Sequence, residues 1–403
     1  MDLLVLSNGH GEDAIAARLV ERLVARRPGL QVGALPLVGP GHAYERAGIP
    51  LVFRSRPMPS GGFGWQSPRL LLQDLAAGFL SLTAAQLDVL RRLRDRVRAL
   101  LVVGDIYPLL LSAAYRVPKV FVATARSDYI SPHLAFERRV LARSCEVVFT
   151  RDAPTAASLC RAGVRAVHVG NVMMDLVQPR GLSLGLAPER PVLGLLPGSR
   201  QDFADNLVAL AELAREVVAQ RPQVQVVAAV ASGAGNLQLP PGSPWRVVAP
   251  DPKERAEGLQ AVMETDGELR IGVTEEGFAD LLRSATVVLG LSGTANEQAA
   301  GMGVPVVAFA RPGVQYTRRF ALRQKRLLGE ALVLAQDARD AAVWVVRLLD
   351  DPEERRRRGQ AGRERMGGPG ATERIVAWME RALGWCPGCP PVGELSTPAH
   401  PQG

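Results

Sequence analysis

Apolar residues along this chain alternate between two rhythms. Short runs rich in Val, Leu and Ala are separated by longer stretches in which apolar positions recur every three or four residues. The first rhythm predicts strands buried on both faces, and the second predicts amphipathic helices. In the first half, strands are expected at 3–7, 32–37, 99–105, 119–124, 146–150 and 166–170, with helices at 14–26, 68–98 (whole or broken), 132–143 and 153–162. In the second half, strands are expected at 191–199, 224–231, 245–250, 268–273, 286–291, 304–309 and 331–335, with helices at 203–221, 277–284, 295–300 and 339–350. This alternation predicts an α/β protein with parallel sheets. Pro179, Gly181, Gly185 and Pro188 cluster between the two series. They mark a boundary between two doubly wound Rossmann-like domains, 1–180 and 188–366, which would face each other across a cleft. A last helix is expected at 371–383, after Gly367-Gly368-Pro369-Gly370, and a disordered Pro/Gly-rich tail over 386–403.

Ligands in open α/β sheets bind at the carboxyl ends of strands, so the loops there carry the candidate chemistry. The run 286–309 holds Ser292-Gly293-Thr294 at the start of a short helix. Free N–H groups and hydroxyls at such a start stabilise a phosphate, and Glu297 one turn on can accept from a ribose diol. Thr294-x-x-Glu297 equally reads as a capping box. Gly198-Ser199-Arg200 closes the first strand of the second half, where Gly198 permits close backbone approach and Arg200 can hold two phosphate oxygens. It equally reads as a turn with a surface Arg. Two anion-binding strand ends in one domain point to a nucleotide diphosphate. The chain contains no Asp-x-Asp, which argues against a metal-held pyrophosphate.

In the first half, Ser7 to Asp13 joins a strand to a helix. Gly9-x-Gly11-x-x-Ala14 matches a dinucleotide fingerprint in form only. Glu12 and Asp13 would repel a pyrophosphate, and no ribose-binding acid ends the second strand. His10, Glu12 and Asp13 instead suit binding or deprotonating a sugar hydroxyl, with Asp13 as a helix cap the alternative. Asp105, after the strand at 99–105, stands where a general base would stand, with a turn or cap role as the alternative.

Composition narrows the partners. The 403 residues carry a net charge of +8, almost wholly through Arg, with lysine only at 119, 253 and 325. That balance favours an anionic partner, and the lack of finger spacing or an aromatic RNA-binding motif places nucleic acid last. No apolar run reaches membrane-spanning length, and the first strand begins at Asp2-Leu3, leaving no signal segment before it. Cys145, Cys160, Cys386 and Cys389 are too few for a disulfide scaffold. A cytoplasmic protein is therefore expected, with no metal and no cofactor; Cys386-Pro-Gly-Cys389 lacks the second pair a zinc site needs. Arg355–Arg358 reads as a solvated helical face. Residues 54–79 mix Arg with Met58, Phe63, Trp65 and Phe79, which suits docking to an anionic bilayer. The alternative is that Leu71, Leu75 and Phe79 form a core-facing stripe.

Taken together, these segments resemble the lipid A disaccharide synthases. That family of GT-B glycosyltransferases joins a UDP-activated diacylglucosamine to a monosaccharide phosphate lipid. Leu195-Leu196-Pro197-Gly198-Ser199-Arg200 is similar to its LLPGSR, and Ser292-Gly293-Thr294-Ala295-Asn296-Glu297 to its SGTAxxE. Gly170-Asn171-Val172-Met173-Met174-Asp175 is similar to its GHPLxD, and Glu12-Asp13 lies near its SGD. The resemblance implies a metal-independent, inverting transfer from a UDP-sugar to a lipid or sugar-phosphate acceptor. It implies UDP contacts from Gly198, Ser199, Arg200, Ser292, Gly293, Thr294, Asn296 and Glu297. Gly11, Glu12 and Asn171 would serve the remaining substrate groups, with Asp105, Asp13 or His10 as the base. The helix at 371–385 would cross back onto the first domain. A UDP-N-acetylglucosamine 2-epimerase, or a non-catalytic nucleotide-sugar or lipid-binding protein, are the alternatives on the same fold.

Overall fold

The computed structural model describes residues 1–58, 68–198, 202–231, 233–265, 269–311 and 316–385, with backbone alone over 68–71. All that follows concerns those residues. The expected tail at 386–403, Cys386 and Cys389, and Phe63 and Trp65 lie outside them. The chain divides into one unit of residues 1–176 with 369–403, and a second of 177–368.

The first unit carries strands β1 (Leu3–Ser7), β2 (Val32–Pro36), β3 (Ala99–Gly104), β4 (Lys119–Ala123), β5 (Val147–Thr150) and β6 (Ala166–Val167). They form one parallel sheet in the order β2-β1-β3-β4-β5-β6. Helices are α1 (His10–Arg26), α2 (His42–Arg46), α3 (Pro68–Ala76), α4 (Phe79–Leu93), α5 (Ile106–Leu111), α6 (Ala135–Ser144), α7 (Ala153–Arg161) and α8 (Val172–Asp175). Leu3, Val5, Leu101 and Val103 point to one face of the sheet, and Leu4, Leu6, Leu100 and Val102 to the other. Both faces are covered, so these strands read as unbroken apolar runs rather than alternating ones.

In the second unit the strands are β7 (Val192–Leu196), β8 (Gln225–Ala229), β9 (Arg246–Val248), β10 (Ala261–Glu264), β11 (Arg270–Thr274), β12 (Val287–Gly290), β13 (Val306–Phe309) and β14 (Leu332–Ala335). Their order is β14-β13-β12-β7-β8-β11-β10-β9. The helices are α9 (Phe203–Gln220), α10 (Pro252–Ala256), α11 (Phe278–Ser284), α12 (Thr294–Gly301), α13 (Arg318–Leu328), α14 (Ala338–Asp350) and α15 (Pro352–Met366). This sheet is not wholly parallel: β10 pairs antiparallel with both β11 and β9. Helix α15 comes close to α12 through glycines. A Cβ on Gly359 would lie 2.3 Å from the Gly303 carbonyl oxygen, and one on Gly362 would lie 2.1 Å from that of Ala300.

The final helix, α16 (Ala371–Ala382), belongs to the first unit. Ala371, Ile375, Val376 and Met379 recur at helical spacing and are at most 1% exposed within the β1–α1 core. Burying the Ile, Val and Met side chains contributes roughly 1.5–3 kcal/mol each before entropy is counted. Asp175 holds the start of α16, accepting from the Gly370 and Thr372 N–H groups and from the Thr372 hydroxyl.

The helix over 68–98 is broken, one of the two forms expected, between α3 and α4 at Gly78, whose φ of 84° favours glycine. Two expectations need correction. Arg358 is not on a solvated face: it is 8% exposed, pairs with Glu354 at 2.8 Å and stacks over Trp344. The core-facing stripe is incomplete, since Leu75 is 39% exposed and its neighbours Leu72 and Leu80 are 67% and 69% exposed. No helix among the described residues is long and apolar enough to cross a membrane.

Candidate functional site

In the second unit, β7 and β12 are adjacent and parallel, with Leu196 opposite Gly290. Their carboxyl ends therefore open on the same edge. The Pro197-Gly198 turn and the Ser292-Gly293-Thr294 segment are neighbours there, joined by the Leu291 N–H donating to the Leu196 carbonyl at 2.9 Å. Gly198 has φ 94°, a conformation that a side chain would strain. Asn206 of α9 steadies this turn by donating to the Pro197 carbonyl at 3.2 Å. Ser199 and Arg200 lie outside the described residues.

Helix α12 begins with Gly293 as its N-cap and has no side-chain cap. The capping box expected of Thr294 and Glu297 does not form, because Thr294 is the first helical residue rather than the cap. Thr294 is exposed and Glu297 half-buried. Its N-cap residue therefore contributes no side-chain oxygen to the first N–H groups of the helix. Asn296 does not face that opening. It is fully buried, and its Nδ2 donates to the Gly290 carbonyl at 3.1 Å and to Gln324 Oε1 at 3.0 Å.

Gln324, which no sequence motif singled out, supports the segment from behind. Its Nε2 donates to the carbonyls of Ser292 (3.2 Å) and Gly293 (2.8 Å), while its Oε1 also accepts from the buried Tyr316 hydroxyl at 2.7 Å. Phe320 packs beside Gly293, where an added Cβ would lie 3.3 Å from the ring. Gly290 is required at the strand end, since a Cβ there would lie 1.9 Å from Asn296 Oδ1.

In the first unit, the ends of β1, β3, β4 and β5 bring together Glu12, Asp105, Thr124 and Arg151. Glu12 is 9% exposed and accepts from the Thr124 hydroxyl at 3.1 Å. Burial pushes its carboxyl above the usual range; hydrogen bonds offset part of that rise, and the charge of Asp105 adds to it while Arg151 opposes it. Arg151 donates to the Thr124 carbonyl at 3.2 Å. Asp105 caps α5, with Oδ1 accepting from the Tyr107 N–H at 2.9 Å. Its cap role is therefore realised, and its carboxylate still lies beside Glu12. Gly104 before it has φ 138°, and a Cβ there would lie 1.9 Å from Asn8 Oδ1.

Asp13 and His10 are placed differently from Glu12. Gly9, not Asp13, caps α1. Asp13 is 1% exposed and turned inward, where it accepts from the Ser7 hydroxyl at 2.5 Å; Ser7 Oγ in turn lies 2.6 Å from the buried Tyr44 hydroxyl. Burial pushes Asp13 up to about 7, opposed by the Ser7 bond and aided by the charge of Glu12. That carboxyl is enclosed by Ser7 and Tyr44 and is not among the groups gathered with Thr124 at the strand ends. His10 is exposed, with its ring against Gly39, and Gly11 is open to solvent. Asn171 follows β6 and caps α8, accepting from the Met173 N–H at 3.1 Å. Among the described residues, no group of three or more His, Cys, Asp or Glu side chains could hold a metal ion.

Comparison with known proteins bears on this geometry. No family model matches the chain. The lipid-A-disaccharide synthase of Geobacter sulfurreducens is 29% identical over 247 residues, covering 56% of this chain and 59% of that protein. That of Prochlorococcus marinus is 26% identical over 410 residues, covering 92% and 95%. The chain is related to the lipid-A-disaccharide synthases. With the Geobacter protein the match spans little more than half of either partner, whereas the Prochlorococcus match runs nearly end to end. Among solved structures, MurG of Acinetobacter baumannii aligns with a TM-score of 0.54 at 14% identity, covering 94% of this chain and 99% of that one. The UDP-GlcNAc 2-epimerase of Neisseria meningitidis bound to UDP-GlcNAc aligns at 0.57 and 13%, with the same coverage. The fold is GT-B, as the resemblance implied, built of the two Rossmann-like units expected from the alternating pattern.

Proposed function

We propose that this relative of the lipid-A-disaccharide synthases is a metal-independent, inverting glycosyltransferase. It moves an N-acyl-glucosamine-type sugar from a UDP donor to a lipid-linked or phosphorylated sugar acceptor. The observation that carries the donor assignment is the pairing of β7 with β12, which sets the Gly198 turn beside an uncapped helix start. A diphosphate there would accept from the first N–H groups of α12 and from Ser199 and Arg200, while Glu297 would take the ribose hydroxyls. Helix dipole, N–H groups and guanidinium would together stabilise charge as UDP departs. Asn296 and Gln324 act as positioning residues for that segment.

On the acceptor side, the carboxylate pair of Glu12 and Asp105 supports general-base chemistry. Burial raises the Glu12 carboxyl and the charge of Asp105 adds to it, so Glu12 is the member of the pair that more readily holds a proton and can donate it to a sugar oxygen. Asp105 accepts the proton of the acceptor hydroxyl, whose oxygen attacks the anomeric carbon as the bond to UDP breaks. Glu12 and Thr124 orient the sugar. The exposed Leu72, Leu75 and Leu80 supply an apolar surface for a peripheral membrane contact.

Calorimetry tests this division of labour. Glu297→Ala and Arg200→Ala should each weaken UDP binding about tenfold, or about 1.4 kcal/mol. Asp105→Asn should leave UDP affinity intact and abolish transfer from UDP-diacylglucosamine to a monosaccharide phosphate lipid. Unaltered UDP affinity in both donor-side variants would remove the donor assignment. The likeness to a 2-epimerase bound to its nucleotide sugar favours a second reading, which incubation with UDP-N-acetylglucosamine alone separates: an epimerase yields the manno epimer without any acceptor.

A further inference from the structure

The excess positive charge of this chain is concentrated on one helix. α13 holds Arg318, Arg319, Arg323, Lys325 and Arg326 and no acid. Its four arginines are exposed, and none has a carboxylate, carbonyl or aromatic partner among the described residues. Lys325 is half-buried and occupied, donating to the carbonyls of Gly329 at 2.8 Å and Leu332 at 2.6 Å. Leu322 stands among the arginines and is 46% exposed. At 100° per residue, these five exposed side chains fall within an arc of about 140°. Ala321, Gln324, Leu327 and Leu328 are buried on the other side of the helix.

Local physics works against this arrangement. Arg318 and Arg319 occupy the first turn, where the helix dipole disfavours a cation. Arg319 with Arg323, and Arg323 with Arg326, are like-charged neighbours one turn apart, which destabilises a helix. The other Arg-rich helix, α15, neutralises its charge internally: Arg357 and Arg358 lie 2.9 and 2.8 Å from Glu354, and Arg356 lies 3.7 Å from Glu353. On α13 the counter-charge has to come from outside. A partner that is both anionic and able to take up an apolar side chain fits the row, because guanidinium groups can meet lipid phosphates while Leu322 enters between headgroups. A nucleic acid backbone would match the charge and leave Leu322 without a use.

We infer that the outer face of α13 docks on an anionic lipid surface, through Arg318, Arg319, Arg323 and Arg326 with Leu322 between them. The inner side of the same helix holds the donor segment, through Gln324 on the Ser292 and Gly293 carbonyls and Phe320 beside Gly293. The docked face is therefore about one helix diameter, roughly 10 Å, from that segment. The inference rests on the proposed function for its purpose, since an acylated donor or a lipid-linked acceptor has to be drawn from a bilayer. It can fail separately from that reading.

The test is vesicle flotation of the full chain, with phosphatidylcholine vesicles against vesicles that also contain phosphatidylglycerol. The wild type should bind the anionic vesicles more tightly, and added salt should remove the difference. Replacing all four arginines with glutamine should weaken binding to anionic vesicles by about fivefold per arginine. Replacing them with lysine should keep most of it, because the charge is retained. Leu322→Gln should weaken binding while leaving its salt dependence in place. The substituted side chains are exposed and unpaired, so thermal unfolding and UDP affinity of each variant should match the wild type. Leu72→Gln with Leu80→Gln reports on the apolar surface of the first unit. If that variant loses vesicle binding and the glutamine variant of α13 binds as the wild type does, the α13 face is overturned. Equal binding of the wild type to both vesicle types overturns it too, as does arginine-dependent binding of a labelled DNA duplex without any to vesicles. A wild type that docks through α13 but does not bind UDP would sink the donor proposal and leave the docking face standing.

Discussion

Asp13→Asn should stabilise the first unit, and by an amount that depends on pH. The carboxyl is 1% exposed, and burial lifts it from 3.8 to about 7. At 1.36 kcal/mol per unit, that interval corresponds to about 4 kcal/mol. The sign follows from proton counting. Between the two values the folded protein holds a proton that the unfolded chain has released, so stability falls as pH rises. The loss begins near the unfolded value and levels off above the folded one. Asparagine has nearly the same shape and no charge. Its Oδ1 can still accept from Ser7, and its Nδ2 would replace an Oδ2 that already lacks a partner.

The variant and wild type should therefore be close in stability at about pH 4 and diverge by roughly 1.4 kcal/mol per pH unit up to about pH 7. Because the chain has two units, a global transition would blend them. Urea titration read by hydrogen-exchange mass spectrometry on peptides from β1 and α1 isolates the relevant one. A difference between the two proteins that stays constant across this range would refute the reasoning, since the buried carboxyl would then not be holding its proton.

Two further substitutions test the scaffold behind α12. Gln324→Leu removes four buried hydrogen bonds, to Ser292, Gly293, Asn296 and Tyr316. At about 1 kcal/mol net each it should cost roughly 3–4 kcal/mol in urea unfolding and weaken UDP binding measured by calorimetry. Gly290→Ala would place a Cβ 1.9 Å from Asn296 Oδ1. It should cost about 3 kcal/mol, and adding Asn296→Ala should relieve part of that loss, so additive costs in a double-mutant cycle would contradict the clash.

The strands that build both sheets were readable because burial on two faces makes them continuous apolar runs. β10 was missed for the complementary reason. It is four residues long, pairs antiparallel with both neighbours, and has only Ala261, Val262 and Met263 as an apolar stretch between Gln260 and Glu264. α13 was missed because Arg, Lys and Gln outnumber its core-facing residues, although Ala321, Leu327 and Leu328 are buried. With it went Gln324, whose partners at Ser292, Gly293 and Asn296 lie about thirty positions away and leave no mark on local sequence.

The neighbouring acids show a finer limit. Sequence placed Glu12 and Asp13 together in a loop before a helix at 14. The helix instead starts at His10, so the two are successive helical residues about 100° apart around the axis. One turns to Thr124 and the strand ends, and the other to Ser7 and the interior. A helix start shifted by a few residues thus decides which acid faces the strand ends.

The two units share a way of building a site. In each, a glycine ends a strand, and an asparagine amide fills the space a side chain would have taken: Asn8 against Gly104, and Asn296 against Gly290. Both asparagines are at most 1% exposed. Neither is placed to meet a ligand directly. Each lets a functional loop pass within contact distance of a strand end, where parallel strands leave N–H and C=O groups unpaired. The residues that touch substrate in the proposed mechanism are polar, short-range and interchangeable with caps or turns. The groups that make their positions necessary are the buried ones behind them. Function in this chain should therefore be more sensitive to Gly104, Gly290 and Gln324 than to exposed neighbours such as Gly11 or Thr294. A substitution scan that found the reverse order would place the specificity in the exposed residues alone.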